Sequence, residues 1–446
     1  MVNLKKSSFK ERQIFAWCMY DWANSAFMTT AASALMPLYF LSLVPPGGWQ
    51  FRFLGQQFTM NALTLWGVTA TLGSFFIFLF APFLGAIADT TTSKKKFMMF
   101  FCYLGCFSAL ALAFVPGLGL REVLCLSLLT GIGLSASFVF YDAFLPQIAD
   151  RGEIDWISAK GYSFGYIGGG LQFLLSLILI GFHEQLGLAR VSALRYAIAF
   201  SGLWWGGFAL VTFRYLEESR NQQDQVEARN WKFLASFKAG FRQLFTTLKQ
   251  IRSYRTIVLF LMAFMFYNEG IQTVVKMAVI YGKDELGFSD RTLMGALLLA
   301  QFVGAIGTLL AGKIARRLGT QRTLIGLLTL WVGISVFTYT IQVERDFWVL
   351  GGLVGLVLGG SQALSRSLYS SLLPPESAAE FFGFYSVFAK FSSILGPLLF
   401  GLIRQVTGSA RWGVLLLVGF FLIGMVLLAF VRVNTNQPQR PLRHRD

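Results

Sequence analysis

Charged residues are scarce in this chain. Only 13% of its 446 residues are Asp, Glu, Lys or Arg, whereas a soluble protein carries about 25%. Hydrophobic residues make up 55%, and apolar segments recur along nearly the whole length. The alternating ten-residue strands of a membrane β-barrel are absent from the pattern. The composition therefore predicts an all-α polytopic membrane protein.

Cysteine and histidine are rarer still, with four and two copies. All four cysteines lie in apolar runs, and their spacing fits neither a disulfide framework nor a metal site. The sequence contains no pairing of a nucleophile with a base that would indicate catalysis. We therefore expect no cofactor, no bound metal and no enzymatic activity.

Basic residues outnumber acidic ones, which gives a formal charge of +16. In so apolar a protein this excess indicates cytoplasmic loops next to anionic lipid rather than a nucleic-acid partner. We expect a monomer that lies in the lipid bilayer and binds a small-molecule solute.

Twelve apolar spans are long enough to cross a bilayer as helices. The first runs from Ile14 to Leu43, and the others lie near 62–88, 97–116, 122–146, 161–182, 193–213, 256–281, 292–312, 323–342, 347–373, 381–404 and 412–431. They predict a cytoplasmic segment 1–13, a six-helix half 14–216, a cytoplasmic loop 217–254, a six-helix half 255–433 and a cytoplasmic tail 434–446. In that loop, apolar residues between Trp231 and Ile251 recur at three- and four-residue steps among basic ones, which predicts an amphipathic interfacial helix.

The lysines and arginines are distributed unequally between the two sides. With both termini in the cytoplasm, 26 of the 38 fall in cytoplasmic segments, nine in outer loops and three within spans. This bias follows the positive-inside rule and predicts that orientation.

Polar residues interrupt the first span. Asp21, Asn24 and Ser25 share one helix face next to Tyr20. A carboxylate at membrane depth costs about 2.5–3.5 kcal/mol on insertion scales. We therefore expect this face to line a cavity within the protein.

The seventh span repeats this pattern. Asn268 and Glu269 follow a tyrosine and precede Gln272, as Asp21 follows Tyr20 and precedes Asn24. Two matched six-helix halves predict a transporter that moves one half against the other.

Further charged residues lie inside the spans. Asp142 ends the fourth, Arg366 lies in the tenth and Lys390 in the eleventh. In one interpretation Glu269 or Asp21 carries a coupling proton and Lys390 or Arg366 holds a substrate carboxylate. In the other they form fixed ion pairs, or the basic side chains extend to the interface.

Short motifs mark two loops and one helix. Gly85 and Asp89 lie in the loop after the second span, and the loop after the eighth has Gly312 but Arg316 at the acidic position. These loops resemble the signature loop of the major facilitator superfamily, where a glycine and an acid form a gate.

Gly161, Gly165 and Gly169 recur every four residues in the fifth span, which favours close helix packing. This packing is either static or a sliding contact between the two halves.

Several segments together resemble the vacuole-effluxer-like family of that superfamily. They are residues 20–27, 161–170, 267–272, 362–367 and 380–397, including Lys390. The resemblance implies a major facilitator fold of 12 transmembrane helices in two pseudo-symmetric halves. It also implies solute transport, since eukaryotic members export amino acids from the vacuole. The compact chain resembles the bacterial members, which implies the inner membrane.

We therefore predict a secondary active transporter of a small polar solute that works by alternating access. Export or uptake of an amino acid, with or without proton coupling, is the first hypothesis. The alternatives are a non-transporting sensor or scaffold of the same fold, and a lipid-precursor translocase.

Overall fold

The protein is described here by a computed structural model. It describes residues 2–45, 47–53, 56–60, 62–90, 93–114, 119–150, 152–218, 242, 254–392 and 395–432. The predicted tail and all of the predicted interfacial helix except Arg242 lie outside these residues.

In its described residues, the N-terminal half contains eight α-helices, one π-helical stretch and one β-hairpin. Its elements are α1 (Val2–Ala26), a π-helical stretch (Phe27–Leu35), α2 (Met36–Leu43), β1 (Trp49–Phe53), β2 (Gln56–Met60), α3 (Ala62–Thr90), α4 (Lys94–Phe114), α5 (Leu120–Asp142), α6 (Leu145–Ile148), α7 (Ile154–Gly181) and α8 (Arg190–Tyr215).

The C-terminal half is helical throughout its described part. Its elements are α9 (Arg255–Ile280), a π-helical turn (Tyr281–Glu285), α10 (Asp290–Leu318), α11 (Thr320–Thr340), α12 (Glu344–Leu372), a 3₁₀ turn (Pro375–Ser377), α13 (Ala378–Phe391), α14 (Leu395–Thr407) and α15 (Arg411–Ala429).

Ten helical segments within the described residues are long and apolar enough to cross a membrane. The two other predicted spans, the first and the eleventh, are helices interrupted along their length. The first changes to π-helical geometry at Phe27, and the eleventh is divided between α13 and α14. The number of twelve crossings therefore stays a prediction.

The interruption of the first span changes its backbone hydrogen bonding. Met36 N–H donates to Ala31 O, five residues back, and Pro37 follows without an N–H of its own. The π-helical stretch ends at Leu35, two residues before this proline, and α2 continues the span with α-helical geometry.

Two features differ from the sequence prediction. The loop after α2 contains an antiparallel hairpin in which Trp49 pairs with Met60 and Phe53 with Gln56. The fifth span was predicted to start at residue 161, but α7 begins at Ile154. The extra turns bring Asp155 and Ser158 into the bundle, where both are buried.

The loops on one side of the bundle are tied together by polar contacts. Lys10 donates to Asp150 and Glu153 over 2.5 and 2.6 Å, and these hydrogen bonds raise the pKa of Lys10. Lys94 N–H donates to Glu218 over 2.7 Å. We call this side, which carries the N-terminus and the loops after α3, α5, α8, α10 and α12, the basic end.

The two halves meet along two lines of helix contact. Helix α7 packs against α10 and α12, and α3 packs against α13. Within the described ranges, the hydrogen bonds and ion pairs that join the halves involve α1, α3, α5 and α7 on one side and α11, α12 and α13 on the other. They lie from mid-bundle, where Tyr166 donates to Gln362, to the basic end.

Candidate functional site

A single arginine of the C-terminal half inserts into the N-terminal half. Nη1 and Nη2 of Arg366 each donate to Asp21 Oδ2 over 3.2 Å, and Nη1 also donates to Asp142 Oδ1 over 3.2 Å. Nε and Nη2 donate to the hydroxyl and the carbonyl of Ser158, each over 3.0 Å. Tyr141 donates its hydroxyl to Asp21 Oδ2 over 2.7 Å. We call these five residues the arginine cluster.

Aromatic rings enclose the guanidinium of Arg366. Its Cζ lies 4.1 Å from the ring centroid of Tyr162, 4.6 Å from that of Trp17 and 5.5 Å from that of Tyr141. Rings in these positions attract a cation through their negative faces. The Arg366 side chain is 1% exposed and that of Asp21 is 2% exposed, so the charges compensate one another away from solvent.

Helix α7 leaves room for this cluster by carrying glycine. A Cβ at Gly161 would lie 2.7 Å from Asp21 Oδ2 and 3.1 Å from Arg366 Nη2. A Cβ at Gly165 would lie 2.5 Å from Ser25 Oγ, and one at Gly169 would lie 3.3 Å from the Ser25 carbonyl. This spacing therefore brings α7 against α1 within the N-terminal half. These three glycines therefore do not form the predicted sliding contact between the halves.

A second polar group lies where the eleventh span is interrupted. Glu269 of α9 accepts a very short hydrogen bond from Gly396 N–H in the first turn of α14. Asn268 Nδ2 donates to Ser392 Oγ, just after α13, over 2.5 Å. Glu269 is 2% exposed and Asn268 is 5% exposed. We call Glu269, Asn268, Ser392 and Gly396 the break cluster.

The break cluster satisfies backbone groups that the interruption releases. The first N–H groups of a helix have no partner within that helix, and a carboxylate is favoured at this positive end. Glu269 supplies such a partner to α14. Gln272, one turn further along α9, is half-buried and donates to Asn268 over 3.5 Å.

Two lysines accompany this cluster. Lys390 is half-buried in the last turn of α13, directly before the interruption. Lys276 is exposed on α9, within electrostatic range of both Glu269 and Lys390. The structure thus places Lys276 near both Glu269 and Lys390, whereas Asp21 belongs to the arginine cluster.

Tyr20 and Asn24, the other predicted residues of the first span, are buried, and their described contacts lie within the N-terminal half. The ring of Tyr20 lies 5.1 Å from that of Tyr141, within the N-terminal half. Asn24 is fully buried and accepts a 3.4 Å hydrogen bond from its neighbour Ser25.

The last turns of α3, which contain Gly85 and Asp89 and were predicted to be a loop, contact the opposite half. Asp89 accepts hydrogen bonds from the N–H groups of Ala379 and Glu380, over 3.2 and 2.8 Å, at the start of α13. Lys94 pairs with Asp89 over 2.8 Å. A Cβ at Gly85 would overlap the carbonyl of Ala379, so only glycine permits this approach of α3 to α13.

The corresponding last turns of α10 are built differently. Arg316 is exposed, and a Cβ at Gly312 would lie 2.5 Å from Cβ of Ala159 on α7. The acid at this position comes from α7, where Asp155 accepts from Ser367 over 2.5 Å and from Thr320 over 2.7 Å. Asp155 was not predicted as a site residue, although an acid near a predicted helix start was a usable signal.

A largely apolar cavity lies between the helices of the C-terminal half. Thr273, Tyr281, Ser335 and Thr338 provide its polar lining. Thr273 also donates to the carbonyl of Glu269 over 2.7 Å, so the cavity begins next to the break cluster. Among the described residues no group of His, Cys, Asp and Glu has an arrangement that could hold a metal ion.

The sequence matches the family described as "Vacuole effluxer Atg22 like" over residues 10–440. The chain belongs to this family. An MFS-type transporter of Bacillus subtilis, YxiO, is 34% identical to it over 95% of this chain and 96% of its own length. Autophagy-related protein 22 of Kluyveromyces lactis is 26% identical over 93% of this chain and 92% of its own length.

Solved structures assign this Atg22-like chain to the major facilitator fold. The human organic anion transporter MFSD10 superimposes with a TM-score of 0.70 at 15% identity, covering 94% of this chain and 99% of the other. The fucose:proton symporter FucP of Escherichia coli gives 0.69 at 12% identity, covering 94% and 98%. The predicted family and fold are confirmed. The Atg22-like chain is an integral membrane protein whose homologues are transporters.

Proposed function

We propose that this protein moves a small polar solute across the membrane by alternating access, and that the solute is an amino acid. The arginine cluster carries the proposal. Arg366 crosses from one half to bind Asp21 and Asp142 of the other, so the basic end can open only if this contact breaks. Buried ion pairs of this kind have two discrete arrangements, paired and separated, which suits a switch between two states.

The basic end is the cytoplasmic end in this proposal, because lysine and arginine concentrate there. Both termini are then cytoplasmic, and the described conformation is closed towards the cytoplasm. The near full-length match to a Bacillus protein supports a bacterial cytoplasmic-membrane location, which is the inner membrane in a cell with two membranes.

The break cluster is the proposed solute contact. An amino acid carries a carboxylate and an ammonium group a few ångströms apart. Lys390 can attract the carboxylate, while Glu269 and Asn268 offer acceptors for the ammonium group. Their position at an interrupted helix is the arrangement that many secondary transporters use for substrate and coupling ion.

Glu269 is also the proposed proton carrier. Its carboxylate accepts from Gly396 N–H, and a neutral carboxyl group is a weaker acceptor than an ionised one. Protonation would therefore loosen the contact between α9 and α14, which links proton binding to movement of the broken helix.

Counterflow in proteoliposomes tests both parts of this proposal. The purified protein, reconstituted with a pool of labelled amino acids, should exchange at least one of them. The variant Glu269→Gln keeps the hydrogen-bond acceptor but not the proton, so it should exchange solute and lose the response to a pH gradient.

Glu122→Gln is the matched control, because Glu122 is exposed in the first turn of α5. It should behave as the unmodified protein. Gradient-driven transport by Glu269→Gln would overturn the proton assignment. A folded protein that binds amino acids but moves none would overturn transport in favour of a sensor.

A further inference from the structure

The N-terminal half contains a complete receptor for a planar cation. Two carboxylates, one backbone carbonyl and three aromatic rings surround the guanidinium of Arg366. Residues Asp21, Asp142, Ser158, Trp17, Tyr141 and Tyr162 provide these groups, and all belong to α1, α5 and α7. The C-terminal half contributes the arginine that occupies the receptor.

This receptor is held together by contacts that do not involve Arg366. Tyr141 donates to Asp21 over 2.7 Å, and Trp17 Nε1 donates to the Tyr141 carbonyl over 3.0 Å. The rings of Trp17 and Tyr141 stack with centroids 4.6 Å apart. Close packing at Gly161 fixes α7 against α1 at the same level. The receptor should therefore keep its shape when the halves separate.

Charge balance favours a replacement for the arginine. While Arg366 is in place, one cation faces two carboxylates. When the basic end opens, Arg366 leaves with α12, and the two carboxylates lose their cation. Leaving two neighbouring carboxylates without a cation is costly. A dissolved cation of similar shape removes that cost.

We propose that this receptor is a solute site for organic cations that carry a guanidinium or primary ammonium group, and that such a solute takes the place of Arg366 when the basic end opens. The inference rests on the alternating-access function proposed above, adds a second solute contact to the break cluster, and narrows the substrate class to cationic amino acids and amines. Arg366 acts as a tethered competitor that closes the site in the absence of solute.

The shape of the site distinguishes cations from neutral solutes of the same size. The carboxylates of Asp21 and Asp142 accept from two N–H groups of one guanidinium, and the rings of Trp17 and Tyr162 lie over its faces. A urea group has the same planar outline but no charge. Hydrogen bonds between charged groups contribute more to affinity than neutral ones. We therefore expect arginine to bind at least roughly tenfold more tightly than citrulline.

Chemical rescue of Arg366→Ala tests the site without any transport. Removal of the side chain should lower the thermal unfolding temperature of the purified protein in detergent. Ethylguanidinium should restore it in a saturable manner, and ethylurea at the same concentration should not. Arg345→Ala is the control, since Arg345 is exposed in the first turn of the same helix, and neither compound should change its unfolding temperature. Equal effects of the two compounds on Arg366→Ala would overturn the inference.

Counterflow by the unmodified protein provides a second measurement if Arg366→Ala does not fold. Arginine should inhibit exchange at a concentration roughly tenfold or more below that of citrulline. Exchange of a neutral solute that arginine and citrulline inhibit equally would overturn the cation site and leave the transport proposal intact. Rescue by ethylguanidinium in a protein that exchanges no solute would support the cation site and overturn the transport proposal.

Discussion

Asp21 and Asp142 both pair with Arg366, but their surroundings differ. Asp21 accepts two hydrogen bonds from the guanidinium and a third from Tyr141. Asp142 accepts one from the guanidinium. The Asp21 side chain is 2% exposed and that of Asp142 is 12% exposed. Asp21 is therefore the main anchor of the arginine.

We predict that Asp21→Asn destabilises the protein more than Asp142→Asn. An amide in place of Asp21 turns one acceptor into a donor that faces Arg366. The difference should be about 1.5–3 kcal/mol, the usual contribution of a hydrogen bond to a charged group. Thermal or denaturant unfolding in one detergent measures it.

Asp150→Asn is the control for this comparison, because the Asp150 side chain is 76% exposed in its pair with Lys10. It should change stability by less than about 1 kcal/mol. Equal losses for the two buried aspartates would contradict the assignment of Asp21 as the anchor.

Individual residues show how far the sequence could lead. The polar face of the first span predicted that Asp21 lines a cavity within the protein, and in the structure Asp21 is buried in a pair with Arg366. The partner of Arg366 could not be predicted, because the pair joins residues 345 positions apart and depends on how the halves pack. The contact of Ser158 with Arg366 was not predicted, because Ser158 lies before the predicted start of the fifth apolar span. The roles of Glu269 and Lys390 stay predictions.

The contact of α3 with α13 depends on one glycine in each helix. A Cβ at Gly85 would overlap the backbone of Ala379, and a Cβ at Gly383 would lie 2.5 Å from Cα of Pro82. Both helices therefore approach each other backbone to backbone. Any larger side chain must push them apart, which separates the halves at the basic end.

We predict that Gly85→Leu shifts the protein towards the state that is open at the basic end. A reporter cysteine at Ser158, buried in the described state, should react faster with a water-soluble maleimide. Gly207→Leu is the control, because a Cβ there has no atom within 4 Å, and it should leave the rate unchanged. An unchanged rate in folded Gly85→Leu would show that this contact does not keep the end closed.

Helix boundaries and the hairpin mark the limits of prediction at the scale of elements. Apolar length predicted the long helices well, but not the start of α7, because residues 154–160 include polar residues that face protein rather than lipid. The hairpin of β1 and β2 was not predicted, because the sequence between the first two spans was interpreted only as a connecting loop. The pair Gly396-Pro397 signals the start of α14, because proline suits a first helical turn.

Across the whole molecule, the polar contacts between the halves lie from mid-bundle to the basic end in the described residues. Alternating access requires that these contacts open in one part of the cycle. Ala159 and Gly312 lie close together across this interface, with 2.5 Å between Cβ of Ala159 and a Cβ built at Gly312. A small shift brings such a pair to disulfide distance.

We predict that a disulfide between Ala159→Cys and Gly312→Cys abolishes exchange, in a background without the four native cysteines. Reduction should restore it. The control pair, Ala109→Cys and Gly202→Cys, joins two helices of one half across 3.2 Å, and its disulfide should leave exchange intact. Full exchange with the first pair oxidised would mean that the halves do not separate at this end.

The two acids at helix ends that join the halves differ in the kind of partner they bind, and this has a consequence for mutational tolerance. Asp89 binds backbone N–H groups, so a small side chain at 379 or 380, proline excepted, keeps its donors. Asp155 binds two hydroxyl groups, so a single change to alanine at Ser367 or Thr320 removes a donor. Ser367→Ala or Thr320→Ala should therefore weaken the Asp155 contact, whereas Glu380→Ala should leave both hydrogen bonds of Asp89 in place.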